Sequence, residues 1–299
     1  MKVAVTGGSG FIGTRLVKKL IDVGHKVVVI DLIEPETKSD VNVRITDLMD
    51  FQQTKAALKG VDVVYHLAGM VVNTTRKNPY KAVLLHSEGT VNVIEACRTN
   101  DIKKMFYAST FYVYDGISEK MLVNEETPLD ILNMELFGST KLLGEAIIKD
   151  YSRKYGLEYV IFRFGSAYGT GRCSNVILTF IDLGLKGEPI EVWGQGKRRN
   201  QYTFVDDIAE GCLLAMDRTN ETYNLISPEE TSTGELAELL KKKYGFEVVY
   251  NTIQKEGPSM PYMSSRKAIL ELGWKTTPLE KSIDQIMSGI KEKNEKEEK

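Results

Sequence analysis

The chain has 299 residues, 42% of them hydrophobic, with 39 basic and 41 acidic side chains for a formal net charge of -2. That is enough apolar material for one large or two small domains with a full core. The near-balance of charge gives no ground for nucleic acid or a membrane surface as partner, and no apolar run reaches membrane-spanning length.

The first thirty-one residues organise the rest. KVAVT is a short apolar run that enters glycines spaced as Gly7-x-x-Gly10-x-x-Gly13. Helical spacing follows through Phe11, Ile12, Leu16, Leu20 and Ile21, and KVVVID is a second apolar run ending at Asp31. This predicts strand, glycine turn, helix, strand. Gly7 permits the tight turn, Gly10 admits a pyrophosphate to the positive end of the helix, and Gly13 lets the helix lie close to the sheet. Asp31 would accept hydrogen bonds from an adenosine ribose and repel a 2′-phosphate, so NAD is expected over NADP.

Further along, a third strand is predicted at residues 42–46, followed by Asp47-Leu48, and a short helix at FQQTKAALKG. A buried strand at 61–69 runs into the loop Leu67-Ala68-Gly69, which should pass near the cofactor. A helix is predicted over 86–100, a strand at KKMFYAST ending in Ser109 and Thr110, a polar insert to about 132, a long helix over 137–155 and a strand at YVIFRF. Strands alternate with helices, which predicts an α/β fold with a Rossmann-like doubly wound parallel sheet. From Gly165 the texture changes to short glycine-separated elements, read as a smaller mixed substrate-binding region. The expected division is a dinucleotide-binding domain over 1–165 with a contribution from about 201–220, a substrate region over 166–200 and 221–290, and a disordered charged tail at 291–299. Ser232 or Thr233 with Glu235 predicts a capped helix. Cys97, Cys173 and Cys212 have neither a paired framework nor metal-ligand spacing. Buried thiols at Cys97 and Cys212, a reducing compartment and no metal site are expected. The chain opens directly into a strand, so no leader is expected and a cytoplasmic location is.

Taken in order, TGGSGFIG at 6–13, Asp31, Asp47-Leu48, HLAG at 66–69, AST at 108–110, a YxxxK-like site at 137–141, RFGSAYGTG at 163–171, FVDDIA at 204–209 and ELGW at 271–274 resemble the extended short-chain dehydrogenase/reductases of the nucleotide-sugar epimerase and dehydratase type. The resemblance implies that Asp47 and Leu48 contact the adenine, that the Leu67–Gly69 loop and Ser109 line the nicotinamide side, and that Thr110 holds a sugar oxygen. Lys141 would bond the nicotinamide ribose and supply a positive field. Ser166, Asn175, Val176 and Arg199 would face the nucleotide sugar, and two long helices would form a homodimer interface.

The resemblance also puts Phe137 where the family has its catalytic tyrosine. That implies an introduced change that traps substrate, another proton acceptor such as Tyr112, Tyr114 or a water, or a protein that binds nucleotide sugar without turning it over. His86 stands where the family has asparagine. The implied activity is a UDP-glucose/UDP-galactose 4-epimerase acting through a transient 4-keto sugar. A dehydratase is disfavoured because Phe111 and Tyr112, not acids, follow Thr110. A reductase and a non-catalytic binder remain as alternatives.

Overall fold

Strand β1 (Lys2–Thr6) is buried along nearly its whole length, as a strand covered on both faces must be. The computed structural model describes residues 1–35, 41–171 and 175–297, with side chains to residue 292. From β1 the chain passes through the glycine turn into α1 (Phe11–Asp22), β2 (Lys26–Asp31) and β3 (Asn42–Ile45). α2 (Phe51–Ala57) precedes β4 (Val63–His66). Two short helices follow, α3 (Val72–Lys77) and α4 (Pro79–Leu84), then a π-helical turn at Leu85–Gly89 that continues into α5 (Thr90–Thr99). β5 (Lys104–Thr110) ends in a 3-10 turn, Phe111–Tyr114, and β6 (Leu122–Val123), α6 (Leu136–Tyr155) and β7 (Glu158–Phe164) come next.

The second part holds β8 (Ser166–Tyr168), α7 (Val176–Leu185), β9 (Ile190–Trp193), β10 (Arg199–Asn200), β11 (Tyr202–Phe204), α8 (Val205–Leu214) and β12 (Glu221–Leu225). β13 (Thr231–Ser232), α9 (Thr233–Tyr244), β14 (Val248–Asn251), β15 (Tyr262–Met263), α10 (Arg266–Leu272) and α11 (Leu279–Glu297) complete it.

Seven strands form one sheet in the order β12-β7-β5-β4-β1-β2-β3, every neighbouring pair parallel. This is the doubly wound sheet that the alternation of strands and helices predicts. One face packs on α1, α8 and α10 through Leu16, Leu20, Ile208, Cys212, Ala268 and Trp274. The other packs on α2, α5 and α6 through Ala57, Val93, Ile94, Cys97 and Ile148. The strand order reverses at β1, so a crevice opens outside the carboxyl ends of β1 and β4. A third core joins α7, α9 and α11 to β9 and β11 beside that crevice.

Two boundaries differ from expectation. β12 lies in the stretch assigned to the substrate region, yet it pairs with β7 as an edge of the main sheet, with Tyr223 and Leu225 fully buried. Helix α11 runs to Glu297, across most of the expected disordered tail. That tail is rich in lysine and glutamate, which are strong helix formers. The expected cap on α9 forms as a reciprocal box: the Ser232 hydroxyl accepts from Glu235 N at 3.1 Å, and the Glu235 carboxylate accepts from Ser232 N at 2.7 Å. Cys97 and Cys212 are buried free thiols, and Cys173 lies outside the described residues. Among the described residues no helix is long and apolar enough to cross a membrane.

Candidate active site

A cleft of about 1040 Å³ runs from the glycine turn across the sheet edge to β9 and β10. Its first half is built by the opening motif. Gly7 has φ +70°, a left-handed backbone that glycine adopts without strain, and its N–H donates to Ile30 O at 2.8 Å. A Cβ on Gly13 would lie 2.1 Å from Gly7 O, so the start of α1 can sit against the turn only without a side chain there. α1 has no side-chain cap and no acid in its first turn, so its leading N–H groups are left for an anion. The turn and the helix end therefore fit a dinucleotide pyrophosphate.

At the tip of β2, the Asp31 carboxylate accepts from Ser9 N at 3.0 Å and from Leu32 N at 2.8 Å. These bonds hold it on the cleft wall, with Asp47 and Leu48 nearby on the same wall. Asp31→Ala is expected to shift the preference toward the 2′-phosphorylated dinucleotide by at least about tenfold, roughly 1.4 kcal/mol. Calorimetric titration of NAD and NADP on both proteins measures it.

At the centre of the cleft, β5 delivers Ser109 and Thr110, and α6 delivers Lys141. The Thr110 hydroxyl accepts from Tyr112 N at 3.3 Å and starts the 3-10 turn, so Thr110 and Tyr112 are held as one piece. Lys141 Nζ donates to Ala108 O at 2.9 Å. Ser109 donates to the Glu145 carboxylate at 2.5 Å, turning its hydroxyl under the sheet edge. Leu67, Ala68 and Gly69 close the cleft from β4, with Leu67 N donating to Thr6 O at 3.0 Å.

His86 pins this loop to α6. Its Nε2 accepts from Met70 N at 2.9 Å, and its Nδ1 lies 2.9 Å from the Thr140 hydroxyl, which itself donates to Phe137 O at 3.0 Å. Nδ1 therefore carries the proton and the ring is neutral. Burial, reinforced by Lys141, pushes its titration down to about 3. His86 is thus a buried tie rather than a helix cap.

The far half of the cleft is lined by Ser166, Asn175 and Val176 together with Phe180, Trp193 and Tyr202. Asn175 caps α7 by accepting from Ile177 N at 3.0 Å and donates to the Ser166 hydroxyl at 3.2 Å. Arg199 does not line the cleft: its guanidinium bonds Glu230 at 2.6 Å and Glu235 at 3.4 Å. Arg198 and Asn200 line it instead. Arg199 and Asn200 are neighbours on β10 and so take opposite faces, while Arg198 just precedes the strand. Among the described residues the Arg198 guanidinium enters no ion pair.

Residues 3–225 match the NAD dependent epimerase/dehydratase family. A Methanocaldococcus jannaschii protein assigned provisionally as a UDP-glucose 4-epimerase is 32% identical over 98% of this chain and 99% of its own length. The Thermotoga maritima UDP-glucose 4-epimerase, solved with UDP-glucose, superposes with a TM-score of 0.89 at 26% identity, covering 98% of this chain and 99% of that one. The UDP-glucuronic acid 4-epimerase of Bacillus cereus, solved with UDP-glucuronic acid and NAD, gives 0.85 at 26% identity over 98% and 99%.

One expectation is corrected by these matches. The YxxxK-like spacing within the resemblance selects Phe137 as the tyrosine position. Matched to the family, the tyrosine assigned to the catalytic position is Tyr151, also on α6, and the inference of a site silenced by phenylalanine falls. In the fold, the Tyr151 hydroxyl donates to Glu95 of α5 at 2.6 Å, and the Phe137 ring stands on the cleft wall. With the glycine turn, Asp31, Thr110 and Lys141 gathered on one cleft, and the match spanning most of its length, the chain belongs to the NAD dependent epimerase/dehydratase family and is an NAD-dependent enzyme.

Proposed function

We propose that this enzyme interconverts the C4 epimers of a UDP-sugar, UDP-glucose and UDP-galactose being the pair, by transient oxidation at C4. The observation that carries the reading is the meeting of two half-clefts at Thr110 and Lys141. One half fits a dinucleotide, and the other offers an aromatic floor and the Arg198 guanidinium. Bound NAD supplies the hydride acceptor and returns the hydride.

The chain's own residues do the rest. Gly7, Gly10, Phe11, Ile12 and Gly13 hold the pyrophosphate, Asp31 the adenosine ribose, and Asp47 and Leu48 the adenine side. The Leu67–Gly69 loop and Ser109 set the redox end. The Thr110 hydroxyl orients the sugar oxygen from which a proton leaves. Ser166, Asn175 and Val176 flank the nucleotide sugar, Trp193 and Phe180 offer faces for the base, and Arg198 offers a fork to the diphosphate.

Curated relatives include UDP-glucuronic acid decarboxylase 1 of Arabidopsis thaliana, so family membership alone does not select the reaction. The choice of epimerisation rests on Phe111 and Tyr112, which follow Thr110 and leave no carboxylic acid there to expel water. Arg198→Ala is expected to weaken UDP binding by roughly 10–100-fold, about 1.4–2.7 kcal/mol, and to leave NAD binding unchanged. Arg199→Ala is expected to leave both unchanged. Calorimetry with UDP and with NAD on each variant checks this.

The reading itself is tested by incubating the full chain and NAD with UDP-glucose, UDP-galactose and UDP-glucuronic acid and following the sugar by NMR. Interconversion of the first two is expected. Conversion of UDP-glucuronic acid alone, or of none, overturns it.

A further inference from the structure

Arg198 brings a guanidinium to the far half of the cleft, and its place is set by groups outside its own strand. The turn before β10 carries two left-handed glycines, Gly194 at φ +61° and Gly196 at φ +70°. They swing successive N–H groups to one side, as in the backbone concavities that bind anions. Here the anion is the chain's own Glu256. Its two carboxylate oxygens accept from Gln195 N at 2.9 Å and from Arg198 N at 2.6 Å. The N–H groups of Lys197 and Gly196 face it as well, and the four, Arg198 foremost, hold the carboxyl below its usual range. A Cβ on Gly194 would lie 2.6 Å from Glu256 Oε1, so the carboxylate sits directly against the turn.

Arg198 is held from other sides too. Its carbonyl accepts from Thr233 N at 2.9 Å and from the Thr233 hydroxyl at 3.3 Å, at the start of α9. Gly257, next to Glu256, lies against the guanidinium: a Cβ there would stand 3.5 Å from Nη1 and 3.6 Å from Cζ. Two residues on, the Ser259 hydroxyl accepts from Arg199 N at 3.1 Å. The segment 256–259 is thus a strap buttoned along the turn, with Glu256 and Gly257 themselves on the cleft wall. The charge of Arg198 is felt at the centre of the cleft. Burial pushes the Tyr112 phenol up, and Arg76 and Arg198 oppose that rise. Among the described residues Glu256 makes no ion pair with the Arg198 guanidinium, its charge being taken up by backbone donors.

We propose that Glu256 is a positioning residue for the diphosphate: it fixes the Arg198 backbone and the strap under the guanidinium, so that the fork faces the cleft before substrate arrives. This rests on the function proposed above, through the role given there to Arg198. A fork set in advance has less side-chain freedom to lose on binding. A carboxylate that instead competed with the diphosphate for the same N–H groups would act with the opposite sign.

The test uses the full chain loaded with NAD, titrated with UDP by calorimetry. Glu256→Ala is expected to weaken UDP binding by about tenfold, in the range of couplings between contacting residues, and to leave NAD binding unchanged. Glu256→Gln, a milder change, is expected to weaken it in the same direction, and it decides the matter if the alanine variant does not fold. In the Arg198→Ala background, Glu256→Ala is expected to change UDP binding by less than about twofold, because the group it positions is gone. Ser259→Ala, which loosens the same strap at Arg199, is expected to leave UDP binding within about twofold of wild type. A loss that persists undiminished without Arg198, or that Ser259→Ala reproduces in full, would assign Glu256 to general support of the loop and overturn the proposal. Unchanged or tighter UDP binding in the Glu256 variants would overturn it as well, the tighter result marking the carboxylate as a competitor. If the wild type binds UDP yet interconverts no UDP-sugar, the epimerase reading fails and this proposal stands; if it does not bind UDP, both fall.

Discussion

Glu145→Ala is expected to lower the unfolding free energy by about 3–5 kcal/mol, because it strands a buried guanidinium. Glu145 and Arg163 are 1% and 4% exposed, which removes the solvent that would otherwise screen the loss. The pair is two-pronged, at 3.1 and 2.9 Å, and the same guanidinium donates to the Tyr114 hydroxyl at 2.9 Å. That hydroxyl in turn donates to Asn224 on β12 at 2.9 Å. The network thus ties α6, β7, the 3-10 turn and the sheet edge together beneath Ser109 and Thr110. The double change Glu145→Met with Arg163→Met is expected to recover much of the loss, since an apolar pair of similar volume leaves no unpaired charge. Urea unfolding of the three variants measures it. A single-variant loss below about 1 kcal/mol would place the pair among weak surface bridges and contradict its burial.

The second large effect is on the cofactor. Gly13→Ala is expected to weaken NAD binding by at least about 100-fold, roughly 2.7 kcal/mol. The added Cβ would meet Gly7 O at 2.1 Å and Gly8 Cα at 2.8 Å, both of them backbone in the turn itself. A side chain could rotate away, but backbone cannot, so either α1 or the turn must move. Both carry the groups that would face the pyrophosphate. Calorimetric titration with NAD checks the result, and affinity within about threefold of wild type would show that the turn has slack the geometry denies it.

What the sequence made legible follows from how local each signal is. The opening strand, glycine turn, helix and second strand lie within thirty-one residues, and hydrophobic period plus glycine spacing suffice to read them. Thr110 and Lys141 come from the family resemblance rather than from periodicity, and the fold brings both to one cleft with Asp31 and the Leu67–Gly69 loop. The π-helical turn at Leu85–Gly89 was read as ordinary helix, because π and α segments share the same apolar spacing over five residues. The distinction between Arg198, just before β10, and Arg199, on it, depends on which side chain meets the cleft, and no periodic signal exists over so short an element. TYNLIS reads as a short strand, but its place in the main sheet is not legible: its partner β7 is some sixty residues earlier in the chain, and edge pairing of that kind is written in tertiary contacts rather than in its own short pattern. The tyrosine assignment was misread because a fixed offset from Lys141 ignores the rest of a twenty-residue helix.

The central claim is that one cleft holds cofactor and nucleotide sugar so that a hydride leaves C4 and returns to the same carbon. The most direct measurement is the fate of deuterium in UDP-glucose labelled at C4, turned over by the full chain with NAD in ordinary water. The account predicts UDP-galactose that keeps its deuterium at C4, because the hydride never exchanges with solvent. Product that has lost the label, or no UDP-galactose at all, would contradict it.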